Sequence, residues 1–330
     1  MDSKYGQREL LCEYNLSTDF FESKNIIVSD LVPLKDSYLL TTNIGALLYK
    51  KVLKENEIGV LRDIIENNEF LRENYEVLYE VKNENDDQFY FLKLRSDFQG
   101  NMNSIDCSIS AVNGLKKFHL KTKPVNMNLD NSIFKEKLIK HMKKDLYKIK
   151  NYKERVDNIE YKRGFNKVFS ENVDDIIYRI KLVIEKLNET HIEKALICLC
   201  IKDTSCHNVI HYENEGLFID ISDSYLGFRS INLSEFIDQC IRYFDYDIER
   251  GKMILEEYIK DIDLTENELI LMYLYFIYPE DIIEIITSYY DCMESFNEEI
   301  FLGKLSKRLS LKDNKINFSK LIKEFYIDKK

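Results

Sequence analysis

Three polar side chains near the middle of the chain have the types and the spacing that phosphoryl transfer requires. Asp203 follows the apolar run ALICLCI, Asn208 comes five residues later, and Asp220 follows a short hairpin. The ends of neighbouring strands can bring such side chains to one point. One carboxylate could then orient and deprotonate an attacking hydroxyl, while carboxylate and amide oxygens hold Mg²⁺ on the phosphates. The pattern predicts a phosphotransfer site within residues 195–223.

The pattern D-x-x-x-x-N, with a second Asp beyond a hairpin, also matches the catalytic loop and metal-binding Asp of kinases. Alone, this spacing would arise often by chance. The apolar strand before it and the turn at residues 214–216 behind it strengthen the match. A structural interpretation stays open, because Asp203 and Asn208 could merely cap a tight loop, as Asp and Asn readily do.

The seven cysteines are expected to be reduced core residues, since disulfide frameworks belong to oxidising compartments. One group needs a separate comparison, because Cys198, Cys200, Cys206 and His207 offer the ligand types of a zinc site. Cys198 and Cys200, however, fall on one face of a predicted strand, where cysteine behaves as a small apolar residue. No second Cys-x-x-Cys pair completes a tetrahedral set, so the sequence favours a core role.

The elements around these residues form a β-rich part followed by a helical part. Strands are predicted at residues 26–32, 38–42, 46–52, 76–81 and 89–94, and one helix at residues 55–73. The resulting order of three strands, one helix and two strands is that of a kinase N-lobe. Further helices are predicted at residues 105–120, 132–150, 173–187, 233–244 and 248–259. Another begins with a capping box, Thr265 to Glu268, and runs to Pro279.

The 330-residue chain has a net charge of −11, with 45% hydrophobic and 32% charged residues, which is a globular composition. We expect a cytosolic protein, because the start lacks the apolar core of a signal peptide and no apolar run approaches a membrane span.

Residues 116–167 are basic, with 16 Lys and Arg against 6 Asp and Glu. This segment could meet an acidic partner, but a solvated helix face is favoured, and the overall acidity argues against nucleic acid.

Several segments together resemble the spore-coat CotS-type family, within the aminoglycoside phosphotransferase and choline kinase-like superfamily. They are LCIKDTSCHNVI (199–210), GLFIDISD (216–223), INLSEFIDQCIRYF (231–244) and residues 258–279, which end in YFIYP. The corresponding family patterns are approximately C-H-x-D-x-x-x-H-N-I-I, I-D-F-D and a helix ending in F-P. The resemblance implies an α+β, bilobal protein-kinase-like fold. A small β-rich N-lobe would span residues 1–95, and a larger, mainly helical C-lobe with the hairpin 199–223 would span residues 96–330.

The resemblance also implies roles for individual residues. Asp203 occupies the position of the catalytic base, and Asn208 and Asp220 fall where the superfamily holds Mg²⁺. Lys50 falls where a strand lysine clamps the nucleotide phosphates, although the adjacent Lys51 competes for that role.

Two further positions complete the nucleotide site that the resemblance implies. Glu57 is the best placed helix partner for the strand lysine. The backbone near Leu94 and Ser96 would form the hinge that hydrogen-bonds an adenine. ATP and Mg²⁺ are therefore the implied cofactors.

The chain departs from the family patterns at several positions. Ile201 stands where the family has a histidine, and it cannot make the hydrogen bonds that brace the catalytic loop. Ser222 replaces the second acid of I-D-F-D, although Asp223 follows it. Asn232 stands where an acid often anchors the next helix, and residues 34–37 offer no glycine to cover phosphates. These changes favour reduced or lost catalysis.

Two functional hypotheses follow. The first is a spore coat-associated protein, made in the mother-cell cytoplasm, that contacts other coat proteins and has a structural or morphogenetic role with weak or no phosphotransfer. The alternative is an active Mg-ATP-dependent phosphotransferase that acts on a hydroxyl of a small molecule or a coat protein. Retention of Lys50, Asp203, Asn208 and Asp220 favours the active phosphotransferase. The departures from the family patterns favour the structural coat protein.

Overall fold

The computed structural model describes residues 3–14, 16–34, 37–53, 56–82, 88–94, 105–123, 130–205, 208–212, 215–242, 244–291 and 297–327. The chain divides into two compact units. The sheet unit comprises Met1–Lys123 and Ile201–Tyr225, and the helical unit comprises Pro124–Cys200 and Leu226–Lys330. The predicted lobe boundary between residues 95 and 96 stays a prediction, and both residues lie outside the described ranges.

The sheet unit contains a five-stranded antiparallel sheet. Its strands are β1 (Val28–Pro33), β2 (Ser37–Thr42), β3 (Gly45–Lys51), β4 (Tyr75–Lys82) and β5 (Gln88–Leu94). They pair in the order β1-β2-β3-β5-β4, so β3 lies at the centre between β2 and β5. Gly45 has a φ of +111° in the turn that joins β2 to β3, a conformation that favours glycine. Each predicted strand is present, with ends shifted by one or two residues.

The two faces of this sheet carry different side chains, because successive residues of a strand point to opposite sides. Leu47 and Phe91 belong to an apolar cluster that includes Leu11 and Phe21 from two short helices, α1 (Ser3–Glu13) and α2 (Thr18–Ser23). Lys50 of β3 is paired with Tyr90 of β5. Both residues point to the face of the sheet opposite this cluster. The central strand therefore presents the Lys50 ammonium away from the aromatic cluster.

The prediction of one continuous helix over residues 55–73 is wrong. Two helices occupy this region, α3 (Glu57–Glu66) and α4 (Glu69–Asn74). The break has a local cause, because the side chain of Asn68 accepts a hydrogen bond from the Leu71 N–H at 3.1 Å and so caps a new helix.

A hairpin with the candidate residues at its ends packs against the helix α5 (Ile105–Lys121). Its strands are β7 (Val209–Tyr212) and β8 (Glu215–Phe218), which pair antiparallel. Gly114 of α5 lies so close to the hairpin that a Cβ at this position would be 1.9 Å from the carbonyl oxygen of Gly216. A hydrogen bond between Ser110 Oγ and His211 Nδ1 adds a buried polar link between helix and hairpin.

Long helices and a small strand pair form the helical unit. The helices are α6 (Asn131–Asp157), α7 (Gly164–Glu189), α8 (Arg229–Arg242), α9 (Ile248–Ile259), α10 (Glu266–Ile277), α11 (Glu280–Asp291), α12 (Glu298–Ser310) and α13 (Lys312–Ile322), which continues into a π-helical turn, Lys323–Ile327. The paired strands are β6 (Ile197–Cys200) and β9 (Tyr225–Phe228), which begins at the boundary between the units. Helices α6 and α7 begin earlier and end later than predicted, and α11 to α13 were not predicted.

The predicted capping box at the start of α10 is confirmed. Thr265 Oγ1 accepts a hydrogen bond from the Glu268 N–H, and Glu268 Oε2 accepts one from the Thr265 N–H at 2.9 Å. The same Glu268 carboxylate accepts bidentate hydrogen bonds from the buried guanidinium of Arg229. Among the described helices, none has a stretch long and apolar enough to cross a lipid bilayer.

Candidate active site

Lys50 links the central strand of the sheet to the loop that follows the hairpin. Its Nζ donates hydrogen bonds to Asp220 Oδ2 and to Ser222 Oγ, each at 2.6 Å. The Lys50 side chain is only 5% exposed, whereas that of Asp220 is 23% exposed and keeps access to solvent. Of the two adjacent lysines that competed for this position, Lys50 is the one whose ammonium reaches Asp220.

The Asp220 carboxylate is fixed at both of its oxygens. Oδ1 accepts hydrogen bonds from the Ser222 N–H at 3.0 Å and from the Ser222 hydroxyl at 2.7 Å. Oδ2 accepts the hydrogen bond from Lys50. Ser222, which the sequence comparison treats as the loss of an acid, thus holds both Asp220 and Lys50 in place.

Asn208 joins the loop of Asp203 to the segment of Asp220. Its Nδ2 donates to the carbonyl oxygens of Asp203 at 2.7 Å and Asp220 at 3.1 Å, and its Oδ1 accepts from the Asp220 N–H at 2.8 Å. Asn208 is buried, so these bonds also satisfy an amide that would otherwise be costly to bury. The amide has a clear structural role, and its oxygen retains one lone pair for another partner.

The Asp203 side chain is exposed, and its Oδ1 accepts a hydrogen bond from the Ser205 N–H at 2.9 Å. This local bond orients the carboxylate at the end of the loop, as Asp often does in tight turns. The Asn208 amide holds the Asp203 backbone at the same time. The structure therefore brings the loop of Asp203, Asn208, Asp220 and Lys50 into one hydrogen-bonded group.

Glu57 is the first residue of α3, and its carboxylate is buried. Oε2 accepts a hydrogen bond from the Leu53 N–H at 2.9 Å, and Oε1 accepts one from the Tyr90 hydroxyl at 3.4 Å. Asp220 and Ser222 both act on the pKa of the Tyr90 hydroxyl, so this hydroxyl lies between Glu57 and the Lys50–Asp220 group. Burial, followed by the nearby Asp220 charge, raises the pKa of Tyr90 and keeps its hydroxyl protonated.

The remaining predicted positions do not form part of this described group. Leu94 is a buried residue of β5 that pairs with Ala46 and Tyr75. Ser96 lies outside the described residues, and so do Cys206 and His207 of the zinc alternative.

The departures from the family patterns are found in two kinds of environment. Ile201 is fully buried in the sheet unit. Asn232 is buried in the helical unit, where its Nδ2 donates to Glu235 Oε2 at 2.8 Å.

Cys198 and Cys200 are buried residues of β6, and burial raises the pKa of the Cys200 thiol.

Two tyrosines of the site carry no signal in the sequence patterns and were not predicted. Tyr90 is the β5 partner of Lys50, and Tyr75 donates a hydrogen bond to the Phe218 carbonyl oxygen at 2.7 Å, two residues before Asp220. A strand register would have indicated Tyr90, because directly paired residues of neighbouring strands share a face. That register was not readable from the pattern of the strands alone.

No family model matches the sequence, and no curated protein matches it. Solved structures do match. An aminoglycoside phosphotransferase from Alicyclobacillus acidocaldarius has a TM-score of 0.69 and 12% identity, covering 90% of this chain and 92% of that chain. A spectinomycin phosphotransferase, solved with ADP and spectinomycin, has a TM-score of 0.56 and 13% identity, covering 91% and 94%. A choline/ethanolamine kinase family protein from Mesorhizobium loti has a TM-score of 0.56 and 10% identity, covering 97% and 100%.

These similarities show the fold of the chain. It is a protein-kinase-like fold of the type found in aminoglycoside phosphotransferases and choline/ethanolamine kinases, with a small antiparallel sheet and a larger, mainly helical C-terminal part. The predicted fold class is confirmed. The roles of the individual site residues stay predictions.

Proposed function

We propose that the protein is a Mg-ATP-dependent phosphotransferase that transfers phosphate to a hydroxyl of a small molecule. The observation that carries this proposal is the ion pair between buried Lys50 and partly exposed Asp220, 2.6 Å apart, which Asn208 joins to the loop of Asp203. A purely structural ion pair would not account for the exposed carboxylate of Asp203, whose loop is held by the same Asn208 amide. The fold it shares with phosphotransferases and kinases supports the same conclusion.

The chemistry of the residues fits a magnesium nucleotide. Mg²⁺ prefers oxygen ligands, and the half-exposed Asp220 carboxylate with the Asn208 amide oxygen supplies two types that it accepts. Lys50 would bind phosphate oxygens as a point charge. When bound, Mg²⁺ would neutralise negative charge on the phosphates. Asp220 would be the principal ligand, because the Asn208 oxygen already accepts the Asp220 N–H.

Asp203 would act on the acceptor. Its exposed carboxylate, oriented by the Ser205 N–H, would accept the proton of the attacking hydroxyl and hold that oxygen toward the phosphate. Asn208 would keep the Asp203 and Asp220 backbones at a fixed separation. Positioning of this kind, together with electrostatic stabilisation, supplies the rate enhancement in phosphoryl transfer.

Nucleotide binding and phosphate transfer test the proposal separately. Mg-ATP should raise the melting temperature of the wild type, since a ligand that binds only the folded state stabilises it. Asp220→Asn should abolish the shift, whereas Asp203→Asn should keep the shift and lose transfer from ATP to small hydroxylated compounds. Asp63→Asn, an exposed residue of α3, is the matched control. A folded wild type that is not stabilised by millimolar Mg-ATP would refute the proposal.

A second candidate is a non-catalytic protein of the spore coat that keeps the kinase-like fold and contacts other coat proteins. Fully buried Ile201, in place of a loop histidine, favours it, and the resemblance of residues 199–210 and 216–223 to the CotS-type family suggests the coat. The Ile201→His variant separates the candidates. A gain in ATP turnover would indicate a slow enzyme, whereas a loss of stability with equal background turnover in wild type and Asp203→Ala would indicate the structural role.

A further inference from the structure

Helix α6 carries a strongly basic surface that none of the roles described above explains. Residues 131–150 contain seven lysines, no arginine and two acidic residues. The exposed lysines, which we name the lysine face, are Lys137, Lys140, Lys143, Lys144 and Lys150. Lys148 is paired with Asp291, whereas no lysine of this face forms an ion pair within the described residues.

The exposed residues of α6 lie in stripes along the helix, because positions seven apart project in nearly the same direction. The central stripe contains Ile133, Lys140 and Tyr147, with Lys137 and Lys144 on one side and Lys143 and Lys150 on the other. At 1.5 Å of rise per residue, Lys137 and Lys150 are about 20 Å apart along the axis. The lysine face is therefore an elongated strip of positive charge.

Little negative charge neutralises this strip from within the helix. Glu136 is the one exposed acid of residues 131–150, all of which the structure describes. Asp145 is engaged by the Tyr278 hydroxyl at 2.7 Å and by His141 at 3.3 Å. The charge of the lysine face is therefore open to a partner from outside the chain.

The opposite side of α6 is fixed in the core of the helical unit. Ile139 and Ile149 are buried there in one apolar cluster with residues of α7 and α11. Helix α6 thus cannot turn this apolar side outward without losing its packing. A partner must bind the lysine face as the folded unit presents it.

Two exposed, largely apolar side chains lie among the charges. Ile133 is 51% exposed and Tyr147 is 67% exposed, and both belong to the central stripe. A tyrosine ring prefers the headgroup region of a bilayer, where its ring meets acyl chains and its hydroxyl reaches water. The lysine face therefore combines positive charge with side chains that suit the interface of a membrane.

The composition of this surface selects among acidic partners. Interfaces between proteins are enriched in arginine and depleted in lysine. Arginine is also the preferred residue for recognition of nucleic acids, because its planar fork binds phosphate in a bidentate manner. Lysine is a point charge on a flexible stem, which suits a diffuse layer of anionic headgroups. Such a layer also offers an apolar region to Ile133 and Tyr147.

The net charge of −11 does not prevent binding to an anionic surface. At physiological ionic strength, charges more than about 8 Å away are largely screened, so the lysines nearest the surface dominate the attraction. The acidic remainder of the chain disfavours other orientations, because other faces would meet the surface with less positive charge.

We infer that the lysine face of α6 docks on a bilayer that contains anionic lipids, with Ile133 and Tyr147 entering the headgroup layer. Binding is peripheral and reversible, because the apolar side of α6 stays in the core. This role goes beyond the proposed phosphotransfer and does not depend on it. A failed transfer assay would therefore not bear on this surface.

Cosedimentation of the full chain with lipid vesicles, without nucleotide, tests the inference. We expect binding to vesicles of phosphatidylcholine mixed with phosphatidylglycerol and none to phosphatidylcholine alone. Raising NaCl from about 0.1 M to about 1 M should release the protein, because the Debye length falls from about 10 Å to about 3 Å.

Two double variants test which lysines are responsible. Each lysine near an anionic surface strengthens binding about fivefold, so Lys140→Gln with Lys144→Gln should weaken it about 25-fold. The matched control, Lys304→Gln with Lys320→Gln, removes the same charge from exposed lysines of α12 and α13. The control should bind the anionic vesicles as the wild type does.

Tyr147→Trp tests the orientation of the bound protein. The chain has no tryptophan, so the new indole is its single fluorophore of this kind. Its emission should move to shorter wavelength on the anionic vesicles, because the ring leaves water. Met253→Trp, at an exposed position of α9, should show no such shift.

Equal binding of the wild type to neutral and anionic vesicles, or binding to neither, would overturn the inference. Unchanged affinity of the Lys140 and Lys144 double variant would overturn it as well. Tighter binding to a DNA oligonucleotide than to the anionic vesicles would assign the lysine face to nucleic acid instead. An emission shift of Met253→Trp without one of Tyr147→Trp would place the lipid on a different surface.

Discussion

The ammonium of Lys50 lies 2.6 Å from Asp220 Oδ2, so a buried strand lysine and a half-exposed loop carboxylate hold each other across 170 residues of sequence. The pair ties the central strand of the sheet to the segment after the hairpin. Ser222 belongs to the same contact, because its hydroxyl accepts from Lys50 and donates to Asp220.

Replacing Lys50 with methionine keeps the length of the side chain but removes its charge. Asp220 would lose a charged partner while retaining partial access to water, so we expect a loss of about 1–3 kcal/mol in the free energy of unfolding. Lys51→Met, at the next position of β3, should cost less. Urea denaturation of both variants measures the difference, and equal losses would contradict a special role of Lys50.

The contact between Tyr90 and Ser222 should be measurable as a coupling energy. Tyr90→Phe and Ser222→Ala each remove a hydroxyl from the chain of groups that leads from Glu57 to Asp220. In a double-mutant cycle we expect a coupling of about 1 kcal/mol, since residues within one network are not additive.

A matched control pairs Tyr90→Phe with Tyr152→Phe. The Tyr152 hydroxyl donates to Asp291 in the helical unit and shares no partner with Tyr90. This control should be additive. Additive behaviour of the Tyr90 and Ser222 variants as well would mean that these two hydroxyls do not interact measurably.

Asn208→Ala separates the structural role of this residue from any role in binding metal. The change removes the hydrogen bonds to the Asp203 and Asp220 backbones, so roughly 2–4 kcal/mol of stability should be lost even in the presence of EDTA. Asn208→Asp keeps an acceptor for the Asp220 N–H and should lose less. If Asn208→Ala were as stable as the wild type, the proposed brace between the two loops would be wrong.

The stability of the wild type should depend on pH through Glu280. Burial, followed by Glu284, raises the pKa of Glu280 in the folded state above its ordinary value of 4.5, so the folded state binds this proton more tightly than the unfolded state. Stability is therefore lost as the pH rises from about 4.5 through the folded pKa. Glu280→Gln should melt higher than the wild type at pH 7 and equally at pH 4.

Melting curves across this pH range provide the measurement. The exposed Glu249→Gln in α9 serves as the control and should show no such pH-dependent gain. A Glu280→Gln variant that is less stable than the wild type at pH 7 would show that the ionised carboxylate has a partner.

Features with a local cause were readable in the sequence. The capping box of Thr265 and Glu268 fixed the start of α10, and the alternating apolar runs predicted the strands of the sheet. The interruption between α3 and α4 depends on a single asparagine cap at Asn68, which the apolar periodicity passes over. Helix α7 begins at Gly164, and its first turns, with buried Phe165 and Phe169, were not predicted although these residues have helical spacing.

The candidate site was predictable only in part. Spacing grouped Asp203, Asn208 and Asp220, because they lie on adjacent loops of a hairpin. The choice between Lys50 and Lys51 depends on which face of β3 meets Asp220. The position of Tyr90 beside Lys50 depends on the pairing of β3 with β5. Such relations arise from tertiary packing and leave no local signal in the chain.

The contact between Gly114 and Gly216 has a consequence for how this site tolerates change. Because the two backbones are in direct contact there, the position of the hairpin against α5 requires that neither glycine carries a side chain. A Cβ at either glycine would meet the backbone of the other element, so we expect Gly114→Ala or Gly216→Ala to displace the hairpin whose ends carry Asn208 and Asp220.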